Sequence, residues 1–168
     1  MDRRVLRPLL DADDRSGFDC GRASMNDWFR RHAWRNQLSG VSRVSVIAEL
    51  PSGAIVGYVA LSAGQVQRDI LPRSEQRNRP NDMPVILLGQ LAVDLRCQRR
   101  GLARTLLFHA LRTAVSVSRE IGCFGVVTQP LDESVRAFYA QFGFVDLPFD
   151  PRRSMIVRMI DLKASGFG

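Results

Sequence analysis

Residues Val85 to Val93 read VILLGQLAV, a nearly unbroken apolar run of strand length. A strand that is apolar on both sides of its pleat has to be covered on both faces. This run therefore belongs in the middle of a sheet with helices packed against it. The following stretch, DLRCQRRGLARTLLFHAL, carries arginines and a glycine into a helical apolar pattern that continues over Gly101 to Arg119. Strand, tight loop and helix in that order define an α/β unit, and they leave a question of charge. Arg99, Arg100 and Arg104 stand where the helix dipole is positive, and no carboxylate in that turn offsets them.

The rest of the chain fits the same class. Arg3 to Leu9 reads as a short first strand. Ser24 looks like the N-cap of a helix over Met25 to Asn36, whose Met25, Trp28, Phe29, His32 and Ala33 share one face at helical spacing. His32 on that face reads as a packed core histidine rather than a base. Arg43 to Glu49 and Ala54 to Leu61 are strands separated by the turn Pro51-Ser52-Gly53. Gln67 to Pro84 is polar, rich in arginine and proline, and reads as a long loop. Gly122 is the expected C-cap of the long helix. Phe124 to Thr128 is a second buried strand, Glu133 to Gln141 a short helix, and Val145 and Met155 to Ile160 closing strands. The order β-α-β-β-β-α-β-α-β-β describes an α/β fold, a mixed sheet flanked by helices. At 168 residues and 45% hydrophobic, the chain is expected to form a single domain over residues 1–168 with a substantial core.

No apolar run approaches the ~20 residues that span a bilayer. MDRRVLRPLLDADD has acidic residues where a signal peptide needs an apolar stretch, so a cytoplasmic location without membrane association is expected. Cys20, Cys97 and Cys123 are odd in number and widely spaced, which suits neither a disulfide framework nor a zinc site. His32 and His109 lie in no cluster of ligands, and no metal is expected. The net charge is +7, and all of the 24 basic residues except Lys163 are arginine. A GC-rich genome accounts for that bias. A polyanionic partner such as nucleic acid accounts for it equally, because guanidinium grips phosphate in bidentate fashion.

A strand, a tight loop and a helix N-terminus form an anion site, since the N–H groups of the first turn have no intrahelical acceptor. Gly101 would let phosphates approach the backbone, and the arginines would then face charge brought by a ligand. The bland alternative is a plain helix start with a solvated basic turn. Neither G-x-x-x-x-G-K-[ST] nor G-x-G-x-x-G occurs, which sets aside the P-loop and the dinucleotide fingerprint.

Gln98-Arg99-Arg100-Gly101-Leu102-Ala103 resembles the [RQ]-x-x-G-x-[GA] loop of the GNAT acetyltransferase superfamily. Asp132-x-x-Val135-x-x-x-Tyr139-x-x-x-Gly143-Phe144 resembles that family's N-x-x-A-x-x-x-Y-x-x-x-G-F segment. The two stand in the family's order, each behind a buried strand, and the resemblance runs end to end. FDCGRASMNDWFRRHAWRNQLSGVSR (18–43), GYVALSAG (57–64), LLGQLAVD (87–94) and AFYAQFGF (137–144) look like one branch, the acetyltransferase toxins of bacterial toxin–antitoxin pairs. The chain departs from the pattern at Arg99, where glycine is usual, and at Ala103, often glycine. It also departs at Gln90, where arginine is common, at Thr128-Gln129-Pro130 in place of a His-Ala stretch, and at Asp132 in place of asparagine.

The resemblance implies a GNAT fold and transfer of acetyl from acetyl-CoA to the amino group of aminoacyl-tRNA, which stops translation. It implies a pyrophosphate loop formed by Gln98, Arg99, Arg100, Gly101, Leu102, Ala103 and Arg104. It places the acetyl and pantetheine groups on the backbone of Leu91, Ala92 and Val93, with further cofactor contacts from Ser134 and Phe138. Tyr139 matches the tyrosine that protonates the departing thiolate, while Tyr58 reads as structural. Asp94, Asp132 and Glu133 are candidate bases with nothing to favour one. A peptide α-amino group titrates near ~7.7–8.0, and an aminoacyl ester lower, so that substrate has little need of a base, whereas a lysine near ~10.4 needs help.

For a tRNA surface, Arg30, Arg31 and Arg35 with Trp34 lie opposite the apolar stripe and suit RNA backbone contact and base stacking. A solvated face or a dimer contact fits them equally, and the arginines of the 67–84 loop are a second candidate. The branch further implies a cognate antitoxin with a ribbon-helix-helix part, and a homodimer. Two other readings stand beside it: a GNAT transferase of a small amine or a protein N-terminus, and a non-catalytic GNAT-fold binding module.

Overall fold

The structure, a computed structural model, describes residues 3–167. Its elements run β1 (Arg3–Pro8), α1 (Ala23–Arg31), α2 (Ala33–Ser39), β2 (Arg43–Leu50), β3 (Ile55–Gln67), β4 (Asp82–Val93), α3 (Leu102–Ser118), β5 (Gly125–Thr128), α4 (Glu133–Ala140), β6 (Val145–Asp146), β7 (Met155–Arg158) and α5 (Met159–Leu162). The strands pair in the order β1-β2-β3-β4-β5-β7-β6. The β4–β5 pair is parallel; β1–β2, β2–β3, β5–β7 and β6–β7 are antiparallel. The mixed sheet expected from the sequence is the sheet that forms, and the apolar run is its middle strand. Two compact units are distinguished, one made of the residues up to Ser62 with Gly89–Ala110, the other of Ala63–Leu88 with the residues from Leu111 on.

In the first unit an aromatic stack organises the core. Tyr58 lies flat against Phe29, ring centroids 4.4 Å apart and planes within 10°, with Phe18 edge-on to both. The Tyr58 hydroxyl donates to the Met25 carbonyl at 2.8 Å, which satisfies its one polar group and makes it structural, as expected. The helix placed over Met25 to Asn36 is two helices. It begins at Ala23, with Arg22 rather than Ser24 in the cap position. No side chain caps it; Asn26 Oδ1 instead accepts the Cys20 N–H at 2.9 Å and ties the preceding segment to the helix. The two helices meet at His32, whose backbone stays right-handed but distorted (φ −115°, ψ −24°), and α2 is ended by Gly40 at φ +81°. Phe29 and Ala33 are fully buried, but His32 is exposed and is not a core histidine. Helix α3 comes close to the sheet here: a Cβ on Gly57 would meet Leu106 Cδ1 at 3.0 Å.

In the second unit β4 starts at Asp82, earlier than the apolar run suggests: Asp82 and Pro84 are exposed, but Met83 between them is buried in the core. The polar 68–81 connection is anchored by charge. Glu75 takes ion pairs from Arg79 (3.1 Å) and Arg158 (2.6 Å), and the Arg79 guanidinium sits 4.9 Å over the Phe124 ring. Gly122 does not cap α3, since its backbone stays outside the left-handed region. The helix unwinds instead through N–H bonds of Arg119, Glu120 and Ile121 to the carbonyls of Ser116 and Val117. The closing strand also stops short of Ile160. Met159 donates to the Phe124 carbonyl at 2.8 Å, and the chain then turns into α5, which buries Met159 and Leu162. Among the described residues no helix is long and apolar enough to cross a membrane, and no group of three or more His, Cys, Asp or Glu side chains is placed to hold a metal.

Candidate active site

The β4–β5 register covers Val85–Leu88 against Gly125–Thr128, and β5 ends there. Strand β4 continues through Gly89–Val93, which contains Leu91, Ala92 and Val93. A strand that outruns its parallel neighbour offers backbone N–H and C=O groups on that side to a ligand.

The segment after β4 is shaped by Asp94. Its own N–H donates to the Val56 carbonyl (2.9 Å), and its carboxylate, only 2% exposed, accepts from the Asp19 N–H (3.1 Å), the Arg96 N–H (3.0 Å) and Arg96 Nε (2.9 Å). Burial works to raise this carboxyl, but the bonds from Arg96 and from the backbone outweigh it and hold it below the ordinary carboxylate value. Asp94 is thus a structural anion with its lone pairs occupied, not a base. Gln98 is exposed, but its Nε2 is engaged by the protein, donating to the carbonyls of Val93 (2.9 Å) and Cys20 (3.1 Å).

Arg99 (φ +61°) and Gly101 (φ +81°) both take left-handed backbone, and only Gly101 does so without cost. This accounts for the family glycine at the Arg99 position. Arg99, Arg100 and Arg104 are exposed, Leu102 is buried and Ala103 half-buried. The Gly101 carbonyl takes the Thr105 N–H at 3.1 Å, so the N–H groups of Leu102, Ala103 and Arg104 precede the first i to i−4 bond of α3. With no acidic residue in that turn, the helix dipole and the arginines present one positive site to an anion.

In the second unit, Asp132 caps α4: Oδ1 accepts from the Val135 N–H (2.9 Å) and the Ser134 hydroxyl (2.7 Å). Asparagine and aspartate both serve this role, which explains the departure from the family pattern. Glu133 is exposed and paired with Arg153 at 2.8 Å. Tyr139 is 4% exposed, edge-on to Phe138 (5.3 Å) and to Phe144 (5.2 Å). Burial pushes its phenol up to about 12, with a hydrogen bond to the Thr128 side chain pulling weakly the other way. Thr128 and the buried Arg136, whose guanidinium holds the Asp146 carboxylate and the Arg153 carbonyl, have no marked signal in the sequence beyond the departure at 128 and a basic residue on the Tyr139 face.

On α1 and α2 the basic surface is smaller than the sequence suggests. Arg31 and Arg35 are exposed, Arg31 paired with Asp27 at 2.9 Å. Arg30 donates back to the Phe18 carbonyl. Trp34 is not an exposed stacking platform but packs, half-buried, against the core of the first unit.

A mixed sheet whose central strand outruns its parallel neighbour and feeds a basic loop and a helix N-terminus is the architecture of an N-acyltransferase. The chain belongs to the acetyltransferase (GNAT) family, whose sequence model matches residues 9–144. It is 38% identical over 158 residues to the tRNA-acetylating toxin of Mycobacterium tuberculosis (strain ATCC 25618 / H37Rv), covering 94% of this chain and 93% of that relative. A solved structure of AtaT complexed with acetyl-methionyl-tRNAfMet matches with a TM-score of 0.89 at 27% identity, covering 97% of this chain and 99% of that one. A structure of AtaTR bound with AcCoA matches with a TM-score of 0.84 at 28% identity, covering 96% and 97%.

Proposed function

We propose that this acetyltransferase moves the acetyl group of acetyl-CoA onto the amino group of aminoacyl-tRNA and so acts as a translation-blocking toxin. The observation that carries the choice of acceptor is the fate of the carboxylates. Asp94 is saturated with hydrogen bonds, Asp132 caps a helix and Glu133 is ion-paired. An acceptor that arrives with its amine already neutral suits such a site, and the α-amino group of an aminoacyl ester does so at neutral pH, whereas a lysine does not. The identity to a tRNA-acetylating toxin over nearly the whole chain supports the same substrate.

Each part then has a role. Gly101 and the N–H groups of Leu102, Ala103 and Arg104 take the pyrophosphate, with Arg99, Arg100 and Arg104 as counter-charges. The backbone of Leu91, Ala92 and Val93 holds the acetyl and pantetheine groups; Ser134 and Phe138 flank the cofactor. The neutral amine attacks the thioester carbonyl, the C–S bond breaks with its electron pair leaving on sulfur, Tyr139 gives its hydroxyl proton to that thiolate, and the proton shed by the acylated nitrogen, passed through water, restores the Tyr139 hydroxyl. A phenol at about 12 is a weak acid for an ordinary thiol. Dry surroundings raise thiols too, as burial does for Cys20 and Cys123 in this fold, so the acid and the leaving group shift in the same direction. Arg31 and Arg35 supply phosphate contacts for the tRNA. The same reading carries a cytoplasmic site of action, a single domain, a homodimer and a cognate ribbon-helix-helix antitoxin.

The test is transfer of radiolabelled acetyl from acetyl-CoA to total charged tRNA, wild type beside Tyr139→Phe. Label on aminoacyl-tRNA that disappears in the variant is the expected result. Label on free amines or protein N-termini alone, with charged tRNA ignored, would replace the acceptor.

A further inference from the structure

Two segments of the first unit, 75 residues apart in sequence, are joined by bonds that cofactor binding does not itself require. The Asp19 N–H donates to the Asp94 carboxylate at 3.1 Å, and the Asp19 carbonyl accepts from the Leu95 N–H at 2.8 Å. Gln98 ties the Cys20 carbonyl to the Val93 carbonyl through its amide nitrogen. Gly21 (φ +88°) lies so close that a Cβ there would sit 3.1 Å from Leu95 Cδ2. The 19–21 segment is in turn fastened to α1: the Asp19 carboxylate accepts from Gly21 N–H and from Asn26 Nδ2, both at 2.8 Å.

The amide nitrogen of Gln98 has two protons, and both are taken by protein carbonyls, which leaves none for a ligand. Arg99 meanwhile holds a left-handed backbone that costs a non-glycine residue free energy and persists only where its surroundings over-determine it. We propose that Asp94 and Gln98 are positioning residues for the cofactor: they clamp the 19–21 segment onto the 95–101 loop and thereby hold the first turn of α3 in the geometry that receives pyrophosphate. The inference rests on the acetyl-CoA role of that loop given above. The clamp also makes α1 and the cofactor loop one hydrogen-bonded body.

The decisive variant is Gln98→Glu, which keeps the shape, removes both donors and sets a carboxylate against two carbonyls. Gln98→Arg restores donors. In Gln98→Glu the dissociation constant of coenzyme A by calorimetry and the KM for acetyl-CoA are expected to rise about tenfold, with kcat at saturating acetyl-CoA within about twofold of wild type and KM for charged tRNA unchanged. Gln98→Arg recovers most of the lost affinity. A purely structural role would instead lower the melting temperature and kcat and leave KM in place. Asp94→Asn, which loses the Arg96 ion pair, is the second variant and decides the matter if Gln98→Glu does not fold. Folded variants that bind coenzyme A as tightly as wild type would overturn the clamp and leave the cofactor reading standing. A wild-type protein that binds no coenzyme A would overturn both.

Discussion

The Thr128 hydroxyl donates to the Leu88 carbonyl at 3.0 Å, and the bond falls on the last register pair of β4 and β5. It closes the parallel pair at the residue where β5 stops, and the same hydroxyl is the hydrogen-bonding neighbour of Tyr139. Thr128→Val keeps the shape and removes this donor from the buried Leu88 carbonyl. Stability should fall by about 1–2 kcal/mol in urea denaturation, and the Tyr139 phenol should rise further, since the influence lost is the one that lowers it.

Tyr139→Phe should reduce kcat about a hundredfold or more while coenzyme A binds as before. The pH profile separates a buried acid from a solvated one. With its phenol raised from 10.0 to about 12, Tyr139 keeps its proton across the range in which the acceptor amine loses its own. The rate should therefore climb with amine deprotonation and then hold level through pH 10. The stability linkage has the matching sign: burial of the neutral phenol contributes fully below pH 10 and is lost as pH rises through about 12. An alkaline limb in kcat centred near 10 would mean that Tyr139 is solvated in the working enzyme.

Asp132 offers a contrast between capping and catalysis. Asp132→Ala removes the acceptor for the Val135 N–H and the Ser134 hydroxyl and should cost about 1 kcal/mol. Asp132→Asn keeps an acceptor in place and should cost only a few tenths. If Asp132→Asn abolishes transfer while the fold melts normally, the carboxylate is a base and the neutral-amine argument for the acceptor fails.

Hydrophobic periodicity made the element order legible, because burial of VILLGQLAV on both faces leaves few alternatives to a central strand. Gly101 was legible as well, since a left-handed turn into a helix narrows the choice of residue. The misses share a cause in geometry that no local pattern encodes. Trp34 flanks the face on which Phe29 and Ala33 pack and lies half-buried against the core, although its place among arginines reads as exposed. Gln98 matches the cofactor motif by type, yet the direction of its amide depends on a carbonyl at Cys20 that only the tertiary fold brings within reach. Asp94 has the composition of a base, and its partner Asp19 contributes through backbone, which leaves no trace in residue identity.

Arg31 and Arg35 carry the prediction for the nucleic acid. Both are exposed, and the Arg31–Asp27 pair is the kind of surface ion pair worth about 0–1 kcal/mol, so replacing them leaves the fold in place. The double variant Arg31→Glu with Arg35→Glu should raise KM for charged tRNA about tenfold or more and leave the coenzyme A dissociation constant unchanged. The salt dependence discriminates further. Each lost phosphate contact should flatten the log–log slope of tRNA binding against salt by about one, independently of which tRNA is used. A double variant with wild-type KM and an unaltered slope would move the tRNA face elsewhere, and the arginines at 68, 73 and 77 of the 68–81 connection would be the next surface to reverse.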